Sequence, residues 1–379
     1  MEFGIFAQVF VPKFESDRDP MSEHRRLVDN LEMAVAAESH GYKYVWTPEH
    51  HFLEEYSHAS APEVFLSFVA SRTQNIHVGA AIFNITPPVN HPVRTAERVA
   101  TLDQLSNGRA EFGTGRGSSS TEYKGFGIPD GEITRDMFDE VLPEILRMWR
   151  EDRYSFDGRF FSVPERNVLP KPLQAPHPPL WVAAGNAPTF EKAARLGIGL
   201  HCFSTGPVAG MAKKVDTYKT TIAEAEPVGA YVNDNVMCVT PLLCLEDRRQ
   251  AFELSTRVGM AYYQSLVFRW LDTFAHPPGL PKWPDLLPEL TIEQVEKAAE
   301  NGTLCVGDPD DCTKVVQKYA DIGIDQICFS PLTTTMPTET ALQSLELFGK
   351  EVISRFDRDP LHSTTRYRLA AGPDSALAS

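Results

Sequence analysis

The sequence predicts an α/β protein built as a (β/α)8 TIM barrel with inserted loops, and three observations support this. Short runs rich in β-branched and aromatic residues alternate with longer amphipathic runs, as expected for strands followed by helices. Eight such units fit into about 350 residues, which lies within the range of barrels of this class that carry insertions. The 379 residues are 42% hydrophobic and 23% charged, so a full core can form. We therefore expect a single barrel over residues 1–356.

The predicted strands and helices alternate regularly. In chain order we predict strands at 3–9, 44–47, 76–83, 109–113, 180–184, 199–203, 236–245 and 326–330. Helices are expected where apolar residues recur at helical spacing, as at Leu27, Leu31 and Val35. They cover 23–40, 63–72, 93–105, 133–149, 190–196, 209–225, 247–264, 309–320 and 340–355. Asp308 as N-cap and Pro309 in the first turn mark one helix start most clearly.

Three stretches depart from this alternation. Residues 152–179 contain a hairpin-like run at 154–161 followed by a proline-rich chain. Residues 266–290 are rich in Pro and Trp without a period, and an insertion this long in a compact domain is typically functional, so we expect a lid. Residues 357–379, rich in Ser, Thr and Ala from residue 362 on, are predicted to form a loose tail.

Charge and cysteine usage exclude several classes of partner and site. The 36 basic and 51 acidic residues give a net charge of −15, which argues against nucleic acid or an anionic membrane as partner. No apolar run approaches the roughly 18 residues of a membrane helix, and the N-terminus lacks the basic start of a signal peptide. The six cysteines form no C-x-x-C pair, so we expect reduced buried thiols in a cytoplasmic protein, with neither a zinc site nor disulfides.

A histidine pair follows the second predicted strand, at the barrel end where active sites of this class lie. In Glu49-His50-His51 we predict His50 to be a general base or hydrogen-bond donor, since imidazole titrates near working pH, with His51 in support. A metal site would also need His91, because adjacent residues on an extended chain point to opposite faces. A structural histidine bonded to a backbone carbonyl is the remaining alternative.

Two glycine-containing loops follow the next strands. Arg116 lies between Gly115 and Gly117, ahead of three serines, and residues 185–189 (GNAPT) resemble a helix start with Pro in its first turn. Glycines let backbone N–H groups approach a phosphate, Arg116 adds a fixed cationic fork, and a helix start is a ready anion site. A dinucleotide fingerprint is disfavoured because the motif follows the fourth strand, while a plain surface loop remains an alternative. We expect the two loops to converge on one phosphate.

At these residues the sequence resembles the bacterial luciferase family of flavin-dependent monooxygenases, and it is most similar to the luciferase α-like branch. The matching pieces are MEFGIF at 1–6, VWTPEHHF at 45–52, VGAA at 78–81 and HPVRTAERVATLDQLSNGRAEFGTGRG at 91–117. Residues 180–197, 307–309 and 323–329 match in the same order. The resemblance thus covers nearly the whole chain to residue 356.

The resemblance implies a monooxygenase that uses reduced FMN (FMNH2) supplied by a separate flavin reductase. Oxygen, the co-substrate, would add to the flavin to give a C4a-(hydro)peroxide that oxygenates a small organic substrate. By the same resemblance His50 is the catalytic histidine beside the flavin ring. A homodimer is also implied, with helices 63–72 and 93–105 as interface candidates.

The resemblance assigns the remaining site residues to the cofactor. Arg116 matches an arginine that binds the FMN phosphate, and Asn84 lies near the ring. Ala81–Ile82 matches a non-prolyl cis peptide under that ring. The phosphate-loop positions are Gly185, Asn186 and Thr189.

The chain differs from the luciferase α subunit at two positions of the predicted site. Three other functions also stay open. Gly115 stands in place of a reactive cysteine and Gly185 in place of an acidic residue, so we do not expect light emission. A deazaflavin (F420) oxidoreductase would have the same barrel. A metal-dependent barrel hydrolase would use His50, His51 and His91, and a non-enzymatic flavin-binding subunit would keep only the fold.

Overall fold

The structure is a computed structural model that describes residues 1–204, 206–274, 276–331 and 336–372. Its centre is a closed barrel of eight parallel strands with flanking helices, which confirms the predicted (β/α)8 class. The barrel strands are β1 (Glu2–Phe6), β2 (Tyr44–Thr47), β3 (His77–Ala80), β4 (Ala110–Gly115), β5 (Leu180–Ala183), β6 (Gly199–Phe203), β7 (Val236–Cys244) and β8 (Gln326–Pro331). Consecutive strands pair in parallel, and β8 closes the ring by also pairing with β1.

Helices connect these strands around the outside of the barrel. They are α1 (Lys13–Ser16), α2 (Ser22–Ser39), α3 (Pro62–Arg72), α4 (Pro92–Leu105), α5 (Ser120–Gly125), α6 (Ile133–Arg150), α7 (Ala187–Arg195), α8 (Ala212–Thr221), α9 (Arg248–Ser255), α10 (Met260–Trp270), α11 (Ile292–Glu300), α12 (Pro309–Asp321), α13 (Thr338–Phe348), α14 (Ser354–Phe356) and α15 (Ser363–Ala370). Short strands outside the ring are Phe83–Asn84, Tyr154–Asp157, Ser162–Arg166 and Cys305–Gly307. The antiparallel pairing of Tyr154–Asp157 with Ser162–Arg166 confirms the predicted hairpin.

The structure corrects two of the predicted elements. The single helix predicted over 247–264 is wrong: α9 and α10 replace it, because Gly259 adopts a left-handed φ of 67° between them. The strand predicted over 76–83 is interrupted, since β3 ends at Ala80 and the Ala81–Ile82 peptide bond is cis, as the resemblance implied. Phe83–Asn84 then pairs with the end of β4.

Two tryptophan rings fill the middle of the barrel. Trp46 and Trp181 are fully buried and meet edge to face, with ring centroids 5.3 Å apart. A Cβ at Gly79 would overlap the ring of Trp46, and a Cβ at Gly199 would overlap that of Trp181. Glycines on the strands thus make room for large rings from other strands. The Trp46 indole N–H donates to Gln326 Oε1 at 2.8 Å, so its burial leaves no donor unsatisfied.

A buried carboxyl group lies at the amino-terminal end of the barrel, below these rings. Glu111 accepts hydrogen bonds from Trp181 Nε1 at 2.7 Å and Thr364 Oγ1 at 2.6 Å, and it contacts His77 Nδ1 at 2.7 Å. Burial raises the pKa of Glu111 to about 8 and lowers the pKa of His77 to about 3. The His77 ring stacks on His362 at 3.7 Å. We call the cluster of Glu111, His77, His362 and Thr364 the barrel floor.

The C-terminal helix α15 closes the floor, so the prediction of a loose tail is wrong for residues 363–370. Glu2 accepts hydrogen bonds from the backbone N–H and hydroxyl of Ser363 and from Lys43 Nζ at 2.9 Å. Thr364 is completely buried. The hydroxyls of Ser363 and Thr364, which the polar composition predicts to be exposed to solvent, therefore donate hydrogen bonds to buried carboxyl groups. Residues 373–379 of the predicted tail lie outside the described residues.

The described part of the chain shows the state of the cysteines and the character of the helices. All six cysteines are free and buried. Within the described ranges, no helix combines the length and the apolar character needed to cross a bilayer.

Thr364→Val is expected to lower the free energy of unfolding by about 1–3 kcal/mol, because it removes a donor to the buried Glu111 carboxyl and keeps the side-chain shape. Thr365→Val is the matched control on the same helix. Its hydroxyl is half-buried and makes no hydrogen bond in the described chain, so we expect a change below about 0.5 kcal/mol. Urea unfolding followed by circular dichroism measures both, and equal destabilisation by the two variants would contradict the floor contact.

Candidate active site

The loops that follow β2 to β5 lie at the carboxyl-terminal end of the barrel, which we call the barrel mouth. Ala183 and Phe203 reach this end of their strands and stay exposed, Phe203 by 47%. The predicted site residues in these loops are His50, Ala81, Ile82, Asn84, Arg116, Gly185, Asn186 and Thr189. The structure therefore places all of them at the same end of the barrel.

A buried carboxylate orients His50. Glu122 of α5 places Oε1 3.2 Å from His50 Nδ1, and the same oxygen accepts the backbone N–H of His51 at 2.9 Å. The side chain of Glu122 is 3% exposed and that of His50 14%. Contact with Glu122 at Nδ1 leaves Nε2 as the free nitrogen of His50 within the described chain. Glu122 Oε2 is buried and has no partner among the described residues.

A second carboxylate, Glu49, organises the loops beside His50. Glu49 Oε2 accepts the backbone N–H of Asn84 at 3.0 Å, and Oε1 accepts Asn90 Nδ2 at 2.6 Å and contacts His51 Nε2 at 3.0 Å. Asn84 Oδ1 is satisfied by the N–H and hydroxyl of Thr86. Glu49 therefore fixes both the His51 side chain and the backbone at Asn84.

The three histidines proposed for a metal site do not converge. His50 and His51 contact different glutamates, and His91 Nδ1 accepts the N–H of Val93 as the N-cap of α4. Across the residues that the structure describes, no group of three or more His, Cys, Asp or Glu side chains is placed to hold a metal ion. The arrangement does not support the metal-dependent alternative.

Arg116 is anchored through one nitrogen only. Its Nη1 donates to Gly131 O at 3.2 Å and to Thr134 Oγ1 at 2.8 Å, at the start of α6. Within the described chain, Nε and Nη2 make no hydrogen bond. A half-buried guanidinium that is fixed on one side and free on the other can bind an anion without first losing a partner.

Residues 185–189 form the expected helix start. Asn186 is the N-cap of α7, and its Oδ1 accepts the N–H and hydroxyl of Thr189 at 3.0 and 2.9 Å. The side chain of Asn186 is thus engaged with the helix itself. Gly185 and Asn186 are exposed at the mouth, and α7 directs its positive dipole end towards it.

Residues 272–274, which we call the bridging segment, connect the two candidate phosphate loops. The Asp272 carboxylate accepts the backbone N–H of Ser120 at 2.8 Å and its hydroxyl, and Thr273 Oγ1 donates to Ser118 O at 2.8 Å. Phe274 lies on Gly185, where a Cβ would overlap its ring. The bridging segment belongs to the insertion predicted as a lid, of which residue 275 lies outside the described residues.

Aromatic side chains form a wall next to His50. Tyr56 meets the His50 ring edge-on at 5.3 Å and stacks on Tyr263 of α10 at 5.7 Å. Trp270 is 7% exposed, and its indole N–H has no partner among the described residues. Burial raises the pKa of Tyr56 to about 12, so the wall is uncharged at neutral pH.

Sequence patterns did not point to Glu122 or to His201. Glu122 is 72 residues from His50 in the chain and carries no motif of its own. His201 of β6 is wedged against Trp46 at 4.3 Å and Trp181 at 4.9 Å, with neither nitrogen bonded in the described chain. Burial lowers its pKa to about 3, so it remains neutral beneath the mouth.

Comparisons with known proteins identify related enzymes. The oxygenase component of a flavin-dependent trigonelline monooxygenase from Acinetobacter baylyi is 30% identical over 201 residues, 52% of this chain and 52% of that protein. The chain thus spans about half of that relative in the match. An F420-dependent glucose-6-phosphate dehydrogenase from Mycobacterium avium is 28% identical over 340 residues, 86% of this chain and 94% of that protein. Both relatives are oxidoreductases.

A solved structure and a family profile complete the comparison. The oxygenating constituent of 3,6-diketocamphane monooxygenase from Pseudomonas putida, in complex with FMN, has a TM-score of 0.75 at 19% identity. The match covers 94% of this chain and 98% of that one, and it shows that the fold is shared. The profile described as luciferase-like monooxygenase matches residues 1–326, and the chain therefore belongs to the luciferase-like monooxygenase family.

Proposed function

We propose that the protein is the oxygenase component of a two-component monooxygenase that uses FMNH2 and O2 to oxygenate a small organic substrate. The observation that carries this proposal is the His50–Glu122 pair at the same barrel mouth as the half-free guanidinium of Arg116. When bound, reduced FMN supplies the electrons with which one oxygen atom of O2 is transferred to the substrate.

The phosphate end of the cofactor is assigned to the loops after β4 and β5. Arg116 Nε and Nη2 are free to form two charge-assisted hydrogen bonds, and the contact with Thr134 fixes their direction. Gly185, Asn186 and Thr189 lie at the start of α7, where the helix dipole favours an anion. These groups suit a phosphate better than a neutral ligand.

The flavin ring is assigned to the surface near Ala81, Ile82 and Asn84. Ala81 and Ile82 are only half-buried at the mouth, which leaves apolar surface for a ring to cover. A Cβ at Gly115 would crowd Ile82 Cγ1 at 2.5 Å. The glycine that replaces the luciferase cysteine therefore makes room for the Ile82 side chain.

His50 is assigned to proton transfer at the reacting atoms. Glu122 holds Nδ1, so Nε2 is the nitrogen that can donate or accept a proton. Tyr56, which meets the His50 ring edge-on, belongs to a buried apolar cluster with Leu266 and Trp270, and we assign to this cluster the exclusion of water from the reacting atoms. Exclusion of water matters because hydrolytic loss of activated oxygen as hydrogen peroxide competes with its transfer.

A second candidate function is F420-dependent hydride transfer. The Mycobacterium avium dehydrogenase aligns over 86% of this chain, a longer match than that of the trigonelline enzyme. Hydride transfer consumes no oxygen, so substrate oxidation under strict anaerobiosis with F420 would identify this function. Dependence of product on both FMNH2 and O2 would exclude it.

We infer that reduced flavin comes from a separate reductase in the cytoplasm. The relative from Acinetobacter baylyi is named an oxygenase component, a term used where a second protein supplies the reduced cofactor. The six buried free cysteines also suit a compartment that keeps thiols reduced.

We further propose a homodimer formed through an apolar patch on α2 and α3. Val64 and Phe68 of α3 are 55% and 60% exposed, next to Leu27 and Val28 of α2 at 37% and 38%. Clustered exposed apolar side chains favour a protein interface, and a twofold axis can pair such a patch with itself. The outer face of α4, the other predicted interface helix, is polar apart from Leu105.

His50→Ala is expected to leave the FMN dissociation constant within about threefold and to lower product formed per FMNH2 oxidised at least tenfold, because proton transfer is lost. The measurement is product and hydrogen peroxide with the first substrate that the wild type accepts from a panel of aldehydes, cyclic ketones and pyridinium carboxylates. His24→Ala, an exposed histidine on α2, is the control. Glu122→Gln should give a smaller loss, because the amide can still contact Nδ1 of His50 but no longer carries a charge. Unchanged coupling in His50→Ala would refute the assignment.

Arg116→Ala is expected to weaken FMN binding about 10–100-fold and riboflavin binding less than threefold, since only FMN carries the phosphate. Fluorescence titration with the two oxidised flavins measures the difference. Arg94→Ala removes an exposed arginine of α4 and serves as the control. Equal losses for both flavins would show that Arg116 acts on folding and not on the phosphate.

Phe68→Lys is expected to convert a dimer into a monomer, because it places a charge in the centre of the patch. Light scattering coupled to size exclusion gives the mass directly. Leu105→Lys, at an apolar position on α4 that is 71% exposed against 60% for Phe68, is the control and should leave the mass unchanged. A wild-type monomer at 50–100 µM, a range in which weak dimers associate, would contradict the proposal.

A further inference from the structure

The bridging segment joins the two loops that carry the candidate phosphate site. On one side Asp272 and Thr273 bind Ser118 and Ser120, which directly follow Arg116 in the chain. On the other side Phe274 rests on Gly185. The segment therefore passes over the gap between the loops at the end where the phosphate is assigned.

Gly185 and Phe274 depend on each other sterically. A Cβ at position 185 would overlap the Phe274 ring, so the ring occupies the space of a side chain that this loop lacks. The other face of Phe274 is open, since 48% of the residue remains exposed. An aromatic ring from a distant part of the chain thus forms one wall of the phosphate end.

Asp272 adds a negative charge to the same end. Its carboxylate is bonded to the backbone N–H and hydroxyl of Ser120, which fixes it over the loop after β4. A phosphate beside Arg116 has a cation for a partner. Anionic groups further out would meet Asp272 instead, and like charges repel at short range.

We propose that residues 272–274 close the phosphate end of the site and select a cofactor that ends at its phosphate. The inference rests on the proposed function, because it takes Arg116 and residues 185–189 as the phosphate site. FMN ends in a phosphate monoester. FAD continues past this phosphate through a diphosphate bridge into a nucleotide, and F420 continues through a phosphodiester into an acidic peptide-like tail. Phe274 obstructs that continuation by its bulk, and Asp272 opposes an acidic tail by its charge.

The experiment measures dissociation constants for oxidised riboflavin, FMN, FAD and F420 by fluorescence titration of the full chain. Wild type is expected to bind FMN at least 100-fold more tightly than FAD or F420. In Phe274→Ala the ratio of the FAD to the FMN dissociation constant should fall to ten or less, mainly through tighter FAD binding. In Asp272→Asn the ratio of the F420 to the FMN dissociation constant should fall by a larger factor than the ratio of the FAD to the FMN dissociation constant.

Two further variants keep the result interpretable. Gly185→Ala leaves Phe274 intact but displaces its ring, so it should also narrow the gap between FMN and FAD. Leu286→Ala removes an apolar side chain that is 46% exposed in the same insertion and should leave the gap unchanged. A thermal melt of each variant confirms that it is folded.

The outcomes separate this inference from the proposed function. Wild type could bind FMN tightly while Phe274→Ala and Gly185→Ala both leave the ratio of the FAD to the FMN dissociation constant unchanged. In that case the bridging segment does not select the cofactor. Equal wild-type affinity for FMN and FAD overturns the inference as well. If wild type binds F420 more tightly than FMN, the FMN-dependent function itself fails, together with the selection proposed here.

Discussion

Two tryptophan rings, packed against glycines, fill the centre of the barrel between its floor and its mouth. Because protein interiors are close-packed, Trp46 and Trp181 can occupy this space only if Gly79 and Gly199 carry no side chain. His201 packs against both rings, with ring centroids 4.3 Å from Trp46 and 4.9 Å from Trp181, and burial keeps it neutral. The middle of the barrel is therefore filled by three buried rings that carry no charge.

The sequence predicted the barrel well because its strands are short, apolar and clearly bounded. β2 and β6 have the predicted limits, and the N-cap of α12 is Asp308, which accepts two backbone N–H groups as expected. The errors have identifiable causes. Amphipathic periodicity continues across Gly259 and cannot show its left-handed backbone. Composition presents residues 363–370 as polar tail, whereas Thr364 is buried by bonding to a carboxyl group far away in the chain.

The candidate site was predictable where a residue type carries its own chemistry. His50 and Arg116 stood out for that reason, and the family resemblance located the cis peptide at Ala81–Ile82. The roles of Glu122, Asp272 and Phe274 follow from contacts with residues 71 or more positions away, which no local pattern records. Since relatives of this chain include flavin-dependent and F420-dependent enzymes, membership of the family does not by itself determine the cofactor.

The contact between α15 and the barrel floor has a consequence for how the protein is made. Thr364 follows Glu111 by 253 residues, so the carboxyl group is synthesised long before its hydroxyl partner. At roughly 5–20 residues per second, translation separates the two by on the order of ten to fifty seconds. A nascent chain that has already exposed all eight strands still has an open floor while its last helix is within the ribosome. The barrel floor therefore closes late in synthesis, because the contact between Thr364 and Glu111 must wait until α15 has been made.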